Sequence, residues 1–353
     1  MVGVNRRLRT VVWGAVPVVA LAALVSLDHV PGTDHSLTVP YVAEGPGPSF
    51  DTLGEVDGQE VIELGGVEEE DTGGQLNMTT VAVRSQLTLA QALGRWLFSD
   101  DTLVPAEQVF PSDMTREEID RSNQVAFSSS EAAATTAALT HLNRPLVVEV
   151  AGVLDDTSAS GVVEEGDRLL AVDGKKVERP GAVRDAVLEH KSGDEVTLKL
   201  SRGGEEREEK VTLGESPEAP ERPLLGVLMG AASADGIEVD YNLQDIGGPS
   251  AGMIFSLAVI DKLTPGALTG GHFVAGTGTI DEDGSVGEIG GIEHKVRAAR
   301  DLGAELFLAP AGNCSALAGQ DTGDMTVAKV SNLDEAIDTM DDFAAGREVT
   351  TCE

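Results

Sequence analysis

Ser250 stands in Gly247-Gly248-Pro249-Ser250-Ala251-Gly252-Met253, directly ahead of an apolar stretch that reads as a helix to about Leu263. A serine hydroxyl is a poor nucleophile until a base takes its proton, and small neighbours let a substrate backbone come close. A helix start also offers orphan N–H groups and a positive dipole end for a developing oxyanion. Gly248, Ser250 and Ala251 are the backbone positions placed for that role or for close approach. The same residues also occur where a turn simply caps a helix, so this stretch alone decides nothing. Forty-five residues on, Lys295 follows Gly290-Gly291-Ile292-Glu293-His294. A lysine of ordinary pKa, about 10.4, is protonated at neutral pH and becomes a base only when burial lowers that value by several units. Gly290, Gly291, Ile292, Val296 and Ala298 provide a low-charge surrounding for it. His294 offers a second base, with Asp281 or Asp301 as orienter of a Ser-His-Asp triad. Adjacent residues of one helix point in different directions, so only one of the two can serve Ser250.

These motifs, with Gly276-Thr277-Gly278-Thr279-Ile280 between them, resemble the proteolytic domain of Lon proteases over about residues 224–340, including Ala304–Pro310 as a buried strand after the lysine helix. The resemblance implies a Ser-Lys dyad with Ser250 as nucleophile and Lys295 as general base, and Thr277 as the residue orienting the lysine. Its spacing favours Lys295 over His294. Where many Lon enzymes carry an acidic residue directly before Gly-Pro-Ser-Ala-Gly, this chain has Gly247, with Asp245 the nearest acid. The sequence contains no Gly-x-x-x-x-Gly-Lys-[Ser/Thr] phosphate loop. The expected enzyme therefore needs no ATP, uses no cofactor or metal, and is confined to flexible segments, exposed termini and peptides.

The elements that must position these residues begin with a turn-rich Gly45-Pro46-Gly47-Pro48 and the strand-like runs Gln59–Leu64 and Leu76–Val83. Apolar spacing predicts a helix over Thr88–Phe98. Thr115-Arg116-Glu117-Glu118 is a capping box opening a helix to about Phe127, and Ser128-Ser129-Ser130-Glu131 reads as a second box opening an Ala-rich helix to Leu142, stopped by Arg144-Pro145. From Pro145 to Leu213 the order is strand, Gly166-Asp167-Arg168-Leu169-Leu170-Ala171-Val172-Asp173-Gly174, helix over Gly181–His190, Gly193-Asp194-Glu195-Val196, and an Arg202-Gly203-Gly204 hairpin. This order resembles a bacterial PDZ domain. Such domains take an extended peptide, often a C-terminus, as an added strand beside a helix. Its carboxylate is expected near the opening strand, with Val183 and Val187 as pocket walls or, equally, as core residues. Glu215–Pro223, with three prolines among acids, reads as a semi-rigid linker, and strand-like Leu224–Met229 and Gly236–Tyr241 follow.

Arg6, Arg7 and Arg9 precede an uncharged stretch from Thr10 to Leu27, and Asp28 follows it. This predicts a signal anchor with a cytoplasmic N-terminus and the bulk of the chain outside the cytoplasm. Cys314 and Cys352, the only cysteines, can pair in an oxidising compartment or stand as two separate thiols. With 25 Lys+Arg against 60 Asp+Glu the formal charge is −35, which excludes a basic nucleic-acid surface. A saline environment and a plain solvated acidic surface both accommodate that charge.

The expected fold class is α+β: an N-terminal transmembrane helix, a PDZ-like β-rich domain and a Lon-type proteolytic α/β domain. The expected divisions are 1–9 cytoplasmic tail, 10–27 anchor, 38–143 an α/β N-terminal region packing on the peptidase, 144–213 PDZ-like, 214–223 linker and 224–345 proteolytic. The combination resembles the membrane-anchored PDZ-Lon proteins of Gram-positive bacteria. It implies a serine endopeptidase of the cell membrane whose partners are polypeptide or peptide substrates, peptide termini at the PDZ-like unit, and further copies of itself. The alternative is a catalytically silent, membrane-tethered peptide-binding adaptor.

Overall fold

The computed structural model describes residues 13–17, 21, 25–30, 32–33, 35–99, 101–110, 115–154, 157–216, 219, 221–243 and 246–352. The expected tail 1–9 and half of the expected span 10–27 lie outside these. Among the described residues no helix is long and apolar enough to cross a membrane.

The elements that frame the site are, in chain order, β1 Tyr41–Asp51, β2 Gln75–Arg84, α1 Leu89–Phe98, β3 Thr102–Pro105, α2 Arg116–His141, β4 Leu146–Val153, β5 Arg168–Val172, α3 Pro180–Leu188, β6 Glu195–Arg202, β7 Glu205–Thr212, β8 Val227–Ser233, α4 Gly252–Leu263, β9 Phe273–Gly276, α5 Ile292–Leu302, β10 Leu306–Pro310, β11 Thr326–Val330 and α6 Leu333–Ala344.

One six-stranded sheet runs β11-β10-β9-β2-β1-β3. Its β2, β9, β10 and β11 are parallel to one another, and β1 is antiparallel to both β2 and β3. Alternation along the strands splits the core in two. Leu76, Met78, Val274, Leu306 and Leu308 pack with α4, which is buried along its whole length; Ala275, Phe307 and Ala309 pack with Ile292, Val296 and Ala299 of α5 on the other face. The sheet is thus sandwiched between the helix that follows Ser250 and the helix that carries Lys295. Half of its strands, β1, β2 and β3, come from residues 41–105, and β2 pairs with β9, so the N-terminal region and the later segment share one sheet.

The second sheet runs β7-β6-β5-β4-β8 and closes over a core of Val148, Leu169, Val183, Val187, Leu198 and Leu200 with α3. Asp173 has φ 47° and Gly174 has φ 76°, the left-handed pair that a tight Asp-Gly hairpin requires between β5 and Lys175–Lys176. Asp167 is buried and held by Arg202 through two contacts of 2.7 Å.

Three expectations are corrected. The unit does not stop at residue 213: β8 pairs antiparallel with β4, and Leu225 is buried in the same core, so the strand-like run after the prolines closes this sheet instead of opening the next domain. The expected linker is itself folded back, Gly214–Glu215 pairing with Pro223–Leu224. The two expected helices within 115–142 are one. Thr115 and Glu118 form the first capping box, but the serines at 128–130 lie inside α2, where packing on α4 outweighs their preference for a cap.

Cys314 and Cys352 are joined by a disulfide. It ties the C-terminal segment, bridged at Thr351 to Ala328, to the 3-10 turn Ala311–Leu317.

Candidate active site

β9 ends at Gly276, where a Cβ would stand 2.8 Å from Ile254 and 3.0 Å from the Leu308 carbonyl. Only glycine lets α4 and β10 close this tightly, and the chain turns here past the C-terminal ends of the parallel strands. Thr277 follows, its N–H donating to Leu308 O at 3.2 Å. The Ser250 turn and α5 arrive from opposite faces of the sheet and meet at this end.

Lys295 Nζ lies 2.7 Å from Ser250 Oγ and 2.9 Å from Thr277 Oγ1. The Thr277 hydroxyl in turn donates to Ser250 O at 2.9 Å, and Gly278 N–H donates to the same carbonyl at 2.9 Å. Thr277 therefore touches both partners and fixes the lysine against the serine. Lys295 is 2% exposed, and burial pulls its pKa down from 10.5 to about 7. Among the described residues no carboxylate offsets that desolvation, so the ammonium loses its hydration without gaining a counter-charge. His294 is also buried, on the adjoining direction of α5, with its N–H bonded to Gly291 O.

The backbone positions divide. Gly248 has φ 87°, and its N–H donates to Asn123 O at 3.0 Å. Its N–H is therefore committed to the turn, and of the two roles expected of it, oxyanion donor or close approach, the open space beside its Cα suits the second. Ser250 and Ala251 sit at the mouth of α4, and Met253 N–H is taken by Gly278 O.

A cavity of about 560 Å³ opens beside Ser250. Its walls are Phe50, Met78, Val81, Phe127, Ile246 and Pro249, and Lys295 is its only charged lining residue among those described. Several of these were not legible as site residues. Phe50, Met78 and Val81 come from β1 and β2. Asn123, Phe127 and Ser130 come from α2, spaced four and three apart so that they share one helix face. Asn123 O takes the Gly248 N–H, Ser130 Oγ donates to Pro249 O at 3.0 Å, and Phe127 lines the cavity while stacking edge-on against Phe255 with centroids 5.7 Å apart. That spacing was the available signal. On the other side of the cleft, Asn313 grips Ile289 through both its N–H and its C=O, each at 2.9 Å, fixing the loop that delivers Gly290 to the cavity.

In the second sheet, Val183 and Val187 are core residues and also line a groove with Leu225, Gly226 and Val227, between α3 and the edge strand β8. The groove thus faces β8 and the turn before it; the opening strand β4 is covered by β8. Glu282, in the turn after Ile280, accepts the Gly181 N–H at 2.9 Å and so satisfies one orphan donor at the start of α3.

Residues 244–340 match the C-terminal proteolytic domain of Lon protease (S16). The chain carries a Lon-type serine protease domain. Residues 125–213 match the PDZ domain. Among solved structures, the chain is similar to the PDZ domain of an SdrC-like protein from Listeria monocytogenes, at 24% identity over 23% of this chain and 85% of that one, TM-score 0.22. The PDZ domain of the SdrC-like protein from Listeria innocua gives 26% over 24% and 92%, TM-score 0.22. A solution structure from Geobacillus thermodenitrificans gives 32% over 23% and 94%, TM-score 0.22. No curated protein matches the chain.

Proposed function

We propose that the protein is an ATP-independent, membrane-anchored serine endopeptidase that cleaves flexible polypeptides outside the cytoplasm through a Ser250–Lys295 dyad, with its PDZ domain capturing peptide segments. The observation that carries this reading is the 2.7 Å approach of Lys295 Nζ to Ser250 Oγ in a site that lowers the lysine pKa to about 7. At pH 7 and above, a large fraction of the lysine is a neutral amine. One of its N–H groups donates to Thr277 Oγ1, which turns the lone pair toward the Ser250 hydroxyl. The hydroxyl gives its proton to Nζ as Oγ attacks the scissile carbonyl, and the Ser250 and Ala251 N–H groups at the helix mouth receive the oxyanion. The resulting ammonium protonates the leaving amine. Water, deprotonated by the same lysine, then hydrolyses the ester.

Anchoring is supported by the basic residues, uncharged stretch and acid at the start of the sequence, and ATP independence by the lack of a phosphate loop in it. The edge strand β8 and the apolar groove beside α3 suit an added peptide strand. The test is cleavage of casein and of fluorogenic peptides by the full-length chain without ATP, against Ser250→Ala and Lys295→Ala. Loss of turnover in both variants is expected. Equal activity in wild type and Ser250→Ala would leave only the adaptor.

A further inference from the structure

Helix α1 presents an apolar face to solvent. Leu89, Leu93, Trp96 and Leu97, at helical spacing, are 42–63% exposed, and Phe98 at its end is 88% exposed. Only Ala92 of this helix is buried, in a small cluster with Ala43 and Leu87. Isolated exposed apolar residues are common, but a contiguous stripe holding a Trp and three Leu, with a Phe at its end, marks an interaction surface. Its composition is unlike the rest of the chain: in a sequence of 60 acidic residues, Leu89–Phe98 contains none, and its one charge is Arg95.

The position of the stripe identifies what covers it. Leu37 N–H donates to Asp28 O at 2.6 Å and His29 is bridged to Ser36, so residues 28 and 37 lie side by side. Thr38 is bridged to Thr88, the N-cap of α1, and Val39 N–H donates to Leu87 O. Asp28 is the first residue after the uncharged stretch 10–27. The point where that stretch ends is therefore held next to the start of α1. The only two tryptophans of the chain are Trp13, within the stretch, and Trp96, on the stripe. Tryptophan and leucine on one face, with a phenylalanine at the helix end and an arginine able to extend toward lipid phosphates, is the composition of a helix lying in a membrane interface.

We propose that α1 lies on the outer surface of the bilayer, with Leu89, Leu93, Trp96 and Leu97 inserted among the lipids. This rests on the anchored reading above. It adds a second attachment, which fixes how the protease is tilted toward the membrane. The test uses full-length protein with Trp13→Phe, leaving Trp96 as the only tryptophan, reconstituted in phosphatidylethanolamine–phosphatidylglycerol vesicles with or without brominated acyl chains. The expected result is about twofold quenching of Trp96 by the brominated lipid with a blue-shifted emission, both lost in Leu93→Ser/Leu97→Ser. Protein that floats with the vesicles but shows unquenched Trp96 overturns the proposal while leaving the anchor intact; protein that does not float overturns the anchor itself. A dimer in detergent that the double serine variant dissolves would assign the stripe to a second copy and also overturn it.

Discussion

The perturbation that tests the site most directly is proton concentration. A lysine of pKa about 7 is about 10% neutral at pH 6 and about 90% neutral at pH 8, whereas an unshifted lysine is well under 1% neutral at pH 8. Acylation of Ser250 should therefore rise about ninefold between pH 6 and 8 and then level off. The same shift carries a stability signature. Because the native pKa lies below that of the unfolded chain, the unfolded state binds the extra proton between about pH 7 and 10.5, and stability rises with pH across that window. Holding the lysine buried costs about 4 kcal/mol at pH 7, a cost that fades toward pH 10.5. Lys295→Met should consequently abolish acylation and raise the thermal midpoint at pH 7, with the gain shrinking at high pH. The assay is the rate of fluorophosphonate labelling followed by intact mass, in parallel with thermal melts from pH 6 to 10. A labelling rate that climbs tenfold per pH unit up to pH 10, or a Lys295→Met protein that is less stable at pH 7, would refute the reasoning.

Other expectations follow from individual contacts. Thr277→Val removes one hydroxyl bonded to both partners of the dyad and should lower kcat by ten- to a hundredfold with little change in KM, measured on fluorogenic peptides. Ser130→Ala should lower kcat several-fold through the loosened Pro249 carbonyl, although Ser130 lies outside the matched proteolytic domain. Phe127→Leu enlarges the cavity beside Ser250 and should shift selectivity toward bulkier apolar residues at the scissile position, read from a peptide library. Reduction of the disulfide, which spans 38 residues, should cost about 4 kcal/mol and appear as a lower thermal midpoint in dithiothreitol.

The chemistry was legible because it is local. Ser250, Thr277 and Lys295 each sit in a short stretch with a glycine demanded by tight packing: Gly252 against Ile280, Gly276 against Ile254 and Leu308, and Gly291 against Val81. What surrounds them was not legible, because it is built by pairing across long separations: β2 lies beside β9 nearly two hundred residues later, and β8 returns to cover β4. Neither pairing leaves a mark on the periodicity of its own strand. The run 224–229 alternates as a strand should, and nothing in it says which sheet it joins. Ser128–Ser130 illustrates the reverse error, a strong local preference overruled by the burial of Phe127, Ala134 and Ala138 against α4.

The way the chain enters and leaves the PDZ unit has a practical meaning. Leu146 and Ser233 face each other as a strand pair, Ala234 N–H donates to Pro145 O at 2.8 Å, and Arg144 meets Asp235 at 3.1 Å. Both crossings thus pass through a single narrow neck, with the two cut ends already adjacent. Such a module can be lifted out or exchanged by joining residue 144 to residue 235 with a short turn, and the enclosing sheet keeps every one of its strands. Under the proposed function, the peptide-capturing unit is a replaceable cartridge whose exchange leaves the cutting site undisturbed.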